Sequence, residues 1–528
     1  MRLMRTNTIQ YIKEYEQSKN KPLKVQEKVL ERIIKEQKNT EFGRKHKFSK
    51  IKTINNFQKK VPETEYDDYK EYIDKIKKGK KNILTKKDVV FFATSSGTTS
   101  EQKYIPITKE RLKLFKRELV LWSKQTISKK NREMIKGKTL YFAAANKLGE
   151  TESGIEYGNI TGYHVKNLPW YIKKKMIIPW KYYNIKNVEK RSELIAIKAL
   201  VEKNITQIAF AAPIEILLFI KFIEENKKQL LEKIKKINKK RAEELEKIFN
   251  KKEMKIINIW PNIKLISCIT ADINKTYLEK LYEKIGKKIK TKDPGIYASE
   301  GRISLGITKY ENAGIIVANT NFFEFKELTK RKTFKKPVTI DKLEQGKKYK
   351  VLITTNEGLY RYDIGDIVEV IDFKNKLPII KYYDRDKYIN IVGENLSTIA
   401  LLKATQESIE KQKIKTKGYC VYPHLESENE KPCYNLILEL NNKITTEKLK
   451  ELIKEFDKKL QQKGKTYAKA RNEFGRLGQP QIMIAKKGSF EKIDKERIAR
   501  TGQAKPEHIS KRSDCYKKFE IEKIIKIN

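Results

Sequence analysis

Between Leu23 and Gln37 the apolar residues Val25, Val29, Leu30, Ile33 and Ile34 recur at three- and four-residue steps, the period of a helix with one buried face. At Val89 the period changes. Val89, Val90, Phe91, Phe92 and Ala93 form an unbroken apolar run, which reads as a buried strand, and it leads directly into Thr94-Ser95-Ser96-Gly97-Thr98-Thr99-Ser100, ahead of Lys103. Thr108 then stands where an N-cap residue belongs, before a helix whose Leu112, Phe115, Leu119 and Trp122 share a face. The predicted order is strand, hydroxyl-rich loop, helix. Residues 140 to 145 and 206 to 212 read as further buried strands, and Pro213 is placed to open an apolar helix through Leu217, Leu218 and Phe219. From 221 to 255 a charged stretch carries Phe222, Leu230, Ile234, Ile237, Leu245 and Ile248 as one packed face. Strands are predicted to return between 256 and 269, interrupted by Trp260, Pro261 and Asn262.

Further on, residues 349 to 353, 366 to 371 and 379 to 383 have strand character, with a turn at 356 to 358. The pattern changes after Asp384, Arg385 and Asp386: strands at 418 to 422 and 434 to 440, a helix at 446 to 462 and a strand at 481 to 485 make a small α+β unit. Strands alternating with helices predict an α/β chain, with a large N-terminal domain at 1–385 and a small C-terminal domain at 386–528.

Composition narrows the function. No run of about 18 apolar residues occurs, so no membrane span is expected, and the first residues lack the apolar core of a secretory signal; the expected compartment is the cytoplasm. The 4 cysteines and 4 histidines form no close pair of the C-x-x-C kind. Cys420, His424 and Cys433 lie near one another but lack a fourth ligand, which favours packing thiols over a zinc site. The net charge of +50 would suit a polyanion. Yet the excess is lysine, spread along the whole chain with abundant Ile and Asn, rather than an arginine stripe interleaved with aromatics. Codon bias explains that pattern, and no specific nucleic-acid partner is expected.

Three segments carry chemistry. In the Ser95–Lys103 loop, Gly97 lets backbone N–H groups approach phosphate oxygens, the hydroxyls donate hydrogen bonds and Lys103 adds a cation. Tyr297-Ala298-Ser299-Glu300-Gly301 offers an aromatic face for a base and a carboxylate for a divalent cation. Gly358-Leu359-Tyr360-Arg361-Tyr362-Asp363-Ile364-Gly365-Asp366 ends in a Gly-Asp turn whose carboxylate can accept ribose hydroxyls. Each alone is commonplace; each in isolation is more often a surface turn.

Taken in order, SSGTTSEQK, YASEG, GLYRYDIGD and YYDRDKYINIVGEN resemble the adenylate-forming superfamily. FQKKVPETEYDDYKEYI, KYIP, IWPNIKLIS, FFEF, KKGSFEKI and TGQAKPEH are similar to one branch of it, the Gretchen Hagen family of acyl acid amido synthetases, from about residue 55 to 508. The resemblance implies ATP and Mg²⁺ as cofactors, a small carboxylic acid activated as acyl-AMP, and an amino acid or amine as acceptor. It implies that Ser95, Ser96, Gly97, Thr98, Thr99 and Lys103 hold the phosphates, Tyr297 the adenine, Glu300 the metal and Asp366 the ribose. Arg385 would contact the nucleotide at a hinge for domain rotation, and Lys505 would meet the carboxylate and α-phosphate. The chain departs from the family pattern at Ser100, at Cys268 to Asp272, at Asp363 and at Asn395. Rival readings are an acyl-coenzyme A ligase using the same adenylate and, from a different class, a basic nucleic-acid-binding or non-catalytic ligand-binding protein.

Overall fold

The structure is a computed structural model of the 528-residue chain. It describes residues 2–95, 102–126, 133–211, 213–270, 273–329, 333–385, 388–389, 391, 394, 396–425, 431–473, 477–501, 507–510 and 512–527. These form two compact units, a larger one built from residues up to Tyr383 and a smaller one from Asp384–Arg500 and the last part of the chain. The fold is mixed α/β, with several sheets and many helices.

In the larger unit the amphipathic helix Pro22–Gln37 buries Val25, Val29, Leu30, Ile33 and Ile34, as its period requires. The strand Val89–Ser95 pairs antiparallel with Lys103–Thr108, Ser95 opposite Lys103. The predicted order is corrected here, because a second strand stands between the hydroxyl-rich loop and the helix. Pro106 is tolerated in this strand because Lys103–Thr108 lies at the sheet edge. The helix Lys109–Thr126 follows, and Thr108 caps it by accepting from the Arg111 N–H.

A four-stranded parallel sheet joins Lys138–Tyr141, Ile205–Ala209, Leu265–Ser267 and Thr291–Lys292 in that order. Pro213 opens the helix Pro213–Glu225, and the charged stretch continues as Lys227–Lys235 and Lys239–Phe249. Leu230, Ile234 and Leu245 are buried, but Ile237 is 61% exposed in the turn between two helices. Residues Ile256–Ile259 form a helical turn where a strand was predicted. Trp260 dictates the packing there: its fully buried indole donates to the Ala199 carbonyl at 2.8 Å.

A six-stranded sheet has the order Phe322–Glu327, Lys348–Thr354, Tyr362–Lys374, Leu377–Arg385, Ala313–Ile316, Ser304–Leu305. Its core includes Phe42 stacked on Tyr360, ring centroids 4.5 Å apart.

The smaller unit carries a sheet of Thr416–His424, Cys433–Leu440, Ile482–Ala485 and Ile521–Ile525, with helices Thr398–Lys411, Thr446–Lys463 and Ser489–Thr501. All 4 cysteines are buried free thiols.

Candidate active site

The Tyr297 segment is a tight turn. Ala298 and Gly301 exchange backbone hydrogen bonds at 3.0 and 3.2 Å, which puts Tyr297 and Arg302 opposite each other as an isolated antiparallel bridge. A Cβ on Gly301 would stand 2.6 Å from Ile353 Cδ1 and 2.8 Å from Asn321 Nδ2, so a larger residue would have to push these two side-chain ends aside. Glu300, inside that turn, is buried and makes no hydrogen bond or ion pair with any described residue. A buried carboxylate without a protein cation suits a hard divalent metal. No group of three or more His, Cys, Asp or Glu gathers among the described residues, and Mg²⁺ asks for no such cage, since it binds through one or two carboxylates plus substrate phosphates.

Tyr297 is held from several sides. Its hydroxyl lies 3.2 Å from His164 Nε2, and the Arg302 and Arg111 guanidinium carbons lie 4.4 and 5.4 Å from its ring centroid. Phe115 stacks on the His164 ring at 3.6 Å. Burial, reinforced by Arg111 and Arg302, pushes His164 well below the usual histidine range, so the imidazole is neutral at pH 7. Burial raises the Tyr297 phenol, with the two arginines opposing it. Arg302 Nε donates to Glu118 Oε2 at 3.0 Å, and Arg111 Nη1 lies 4.0 Å from Glu118 Oε1.

None of Arg111, Glu118, His164 and Arg302 stood out in the sequence. The helix Lys109–Thr126 was expected to bury Leu112, Phe115, Leu119 and Trp122; Arg111, Glu118, Leu121 and Thr126 are the residues buried, while those four are partly covered. The spacing of Arg111 and Glu118, seven apart and thus on one helical face, was the available signal.

Asp366 is buried in the strand Tyr362–Lys374, at the end of a bulge between Asp363 and Ile367. Gly365 takes φ 76° there, and its N–H is held at 2.8 Å by Asp363 Oδ1, which leaves Asp363 Oδ2 to pair with Lys350 at 3.0 Å. The acid at 363 is thus a structural partner that shapes the turn before Asp366.

The strands that carry Lys103 and Asp366 both meet the short stretch from Thr64 to Tyr66. Thr64 bridges Tyr362, and two residues on, the Tyr66 hydroxyl accepts from the Tyr104 N–H at 2.7 Å while the Lys103 ammonium lies 5.4 Å from the Tyr66 ring. Lys103 has no acidic partner among the described residues. Ser96, Gly97, Thr98, Thr99 and Lys505 lie outside the described residues, and for Ser95 and Arg385 only the strand backbone is described.

The larger body thus carries the Tyr297 ring and the buried carboxylates of Glu300 and Asp366, and a small α+β unit follows it in the chain. Superposition on a 2-hydroxyisobutyryl-CoA ligase in its postadenylation state supports that fold, with TM-score 0.52, 11% identity and coverage of 93% of this chain and 90% of that one. The chain belongs to the GH3 family: its N-terminal domain matches residues 11–290, its central domain 314–385 and its C-terminal domain 399–514. It is similar to the indole-3-acetic acid-amido synthetase GH3.2 of Arabidopsis thaliana, 25% identical over 76% of this chain and 80% of that protein. It is also similar to the jasmonoyl–L-amino acid synthetase JAR4 of Nicotiana attenuata, 24% identical over 91% and 89%. The solved structure of the GH3.15 acyl acid amido synthetase superposes with TM-score 0.85 at 20% identity, covering 97% of this chain and 96% of that one. Among the described residues no helix is long and apolar enough to cross a membrane.

Proposed function

We propose that this chain is an ATP-dependent acyl acid amido synthetase. The observation that carries the reading is membership of the GH3 family across all three of its domains, together with Lys103, Glu300 and Asp366 present on one body. In the first half-reaction a carboxylate oxygen attacks the α-phosphorus of ATP; the bond to pyrophosphate breaks and acyl-AMP forms. In the second, an amine nitrogen attacks the acyl carbon, AMP leaves and the nitrogen loses a proton.

The residues divide the work by their chemistry. Ser95, Ser96, Thr98 and Thr99, with the backbone at Gly97, donate to phosphate oxygens, and Lys103 offsets their charge. Asp366 accepts from the ribose, and Tyr297, already backed by guanidinium contacts, presents its ring to adenine. Glu300 would hold Mg²⁺, which when bound neutralises triphosphate charge. Lys505 supplies a mobile cation to the acid and α-phosphate, and rotation at Arg385 withdraws it before the amine enters. An attacking amine must be neutral, so the acceptor site has to disfavour its ammonium form by desolvation. The protein acts in the cytoplasm in this reading.

Acid-dependent exchange of labelled pyrophosphate into ATP, run across a broad panel of carboxylic acids with Mg²⁺ present, tests the reading. Exchange with at least one acid supports it. A folded protein that exchanges with none would refute the adenylation step.

A further inference from the structure

The surface between residues 133 and 175 combines features that the amido synthetase reading does not use. Trp170 and Tyr171, opening the short helix Trp170–Lys173 after Pro169, are 68% and 57% exposed, side by side with rings 6.2 Å apart at an angle of 85°. Ile135, 47% exposed, lies in the adjacent stretch of chain, which Lys175 Nζ meets at the Lys136 carbonyl at 3.4 Å and from which Lys138 Nζ reaches the Lys174 carbonyl at 2.8 Å. Around these three apolar residues stand Lys136, Lys138, Lys173, Lys174 and Lys175, with Lys116 facing Lys173 from the neighbouring helix. Of these six lysines only Lys136 has an ion-pair partner among the described residues, Glu133. Lys116 is held below the usual lysine range by burial and then by Lys173, as expected where like charges crowd.

We propose that this face docks on an anionic lipid bilayer, with Trp170 and Tyr171 entering the headgroup region and the lysines facing acidic headgroups. Indole and phenol rings favour that interface because each joins an apolar body to a polar tip. Lysines beside a membrane surface add attraction that falls off within a Debye length. The alternative polyanion, nucleic acid, fits less well. Ile135 has no π-face on which to stack a base, and among the described residues every cation of the patch is a lysine rather than the flat guanidinium that stacks and forks onto phosphate.

The test uses the full chain with vesicles of phosphatidylcholine alone or containing phosphatidylserine, followed by co-sedimentation and tryptophan emission. Wild type is expected to sediment with the phosphatidylserine vesicles, and the wild-type minus W170F difference emission is expected to move to the blue on their addition. K173A/K174A should weaken binding about thirtyfold, the loss of two surface lysines at roughly 1 kcal/mol each. W170A/Y171A should weaken it further and leave a residue that salt abolishes. The control K28A/R32A/K35A removes three charges from the exposed face of the helix Pro22–Gln37 and should change binding far less. An unmoved Trp170 emission, equal weakening by the control, or binding to duplex DNA with no binding to vesicles would each overturn the proposal. Unchanged thermal unfolding of these surface variants shows that the comparison is between folded proteins.

Discussion

Arg361 and Glu324 form a buried ion pair, Arg361 Nε 2.9 Å from Glu324 Oε2 and Nη2 3.0 Å from Oε1. The same guanidinium donates to the carbonyls of Gln58 and Val61, at 3.1 and 2.8 Å, while Arg361 itself takes φ 50° in the left-handed region. Two motifs that marked the family, Phe-Phe-Glu-Phe and Gly-Leu-Tyr-Arg-Tyr, therefore meet in the interior, and their charged residues hold the site's framework rather than the substrate. E324L should cost roughly 3–5 kcal/mol, because the buried guanidinium loses its close partner and keeps only Glu63, at 3.9 Å. Urea unfolding of the variant measures this; a cost under about 1 kcal/mol would mean the pair does not hold the core.

Asp366 and Glu300 should separate kinetically. D366A is expected to raise the KM for ATP about tenfold to a hundredfold, the loss of hydrogen bonds to a charged acceptor. E300Q should instead raise the Mg²⁺ concentration needed for half-maximal exchange. Titrating each variant in ATP at fixed Mg²⁺, and in Mg²⁺ at fixed ATP, distinguishes them; identical profiles would contradict the separate assignments.

For Lys505 the expected effect is on rate. Its charge matters most as negative charge gathers at the α-phosphorus, so K505A should slow pyrophosphate exchange about 10²–10³-fold with little change in ATP binding. Exchange at the wild-type rate would remove Lys505 from the chemistry.

The smaller unit has an internal pH balance. Burial lowers His508 to about 4, while burial raises Asp494 to about 6 against the opposing pull of Arg497. Below pH 6.5 the unfolded chain protonates this histidine and the folded one does not, so His508 costs stability as pH falls from 6.5 to 4. Asp494 acts in the opposite sense: between pH 3.8 and 6 the folded state holds the extra proton, so stability is lost as pH rises through that window. The two slopes offset each other in the wild type. H508Q should leave a protein that loses stability from pH 4 to 6, and D494N one that gains it over the same range. Denaturant midpoints at several pH values decide, and parallel slopes in the two variants would contradict the assignment.

The helix Pro22–Gln37 and the strand Val89–Ser95 were legible because their apolar positions keep one period throughout. The strand Lys103–Thr108 was not, since Pro106 reads as a strand breaker unless its edge position is known. At the candidate site, the motifs singled out Tyr297, Glu300 and Asp366, whose roles rest on the proposed function. Arg111, Glu118 and Arg302 escaped because a buried charge is recognisable only by its partner, and Arg302 meets Glu118 across a long stretch of chain. His164 escaped because nothing beside it in sequence announces that its partner is the Tyr297 hydroxyl.

Mass spectrometry of the products tests the central claim most directly. The protein is given ATP, Mg²⁺, an acid that supports pyrophosphate exchange, and equal amounts of the amino acids and coenzyme A. An amide of that acid with an amino acid, accompanied by AMP, is the predicted product. A coenzyme A thioester as the main product, with no amide, would contradict the account and make this chain an acyl-coenzyme A ligase.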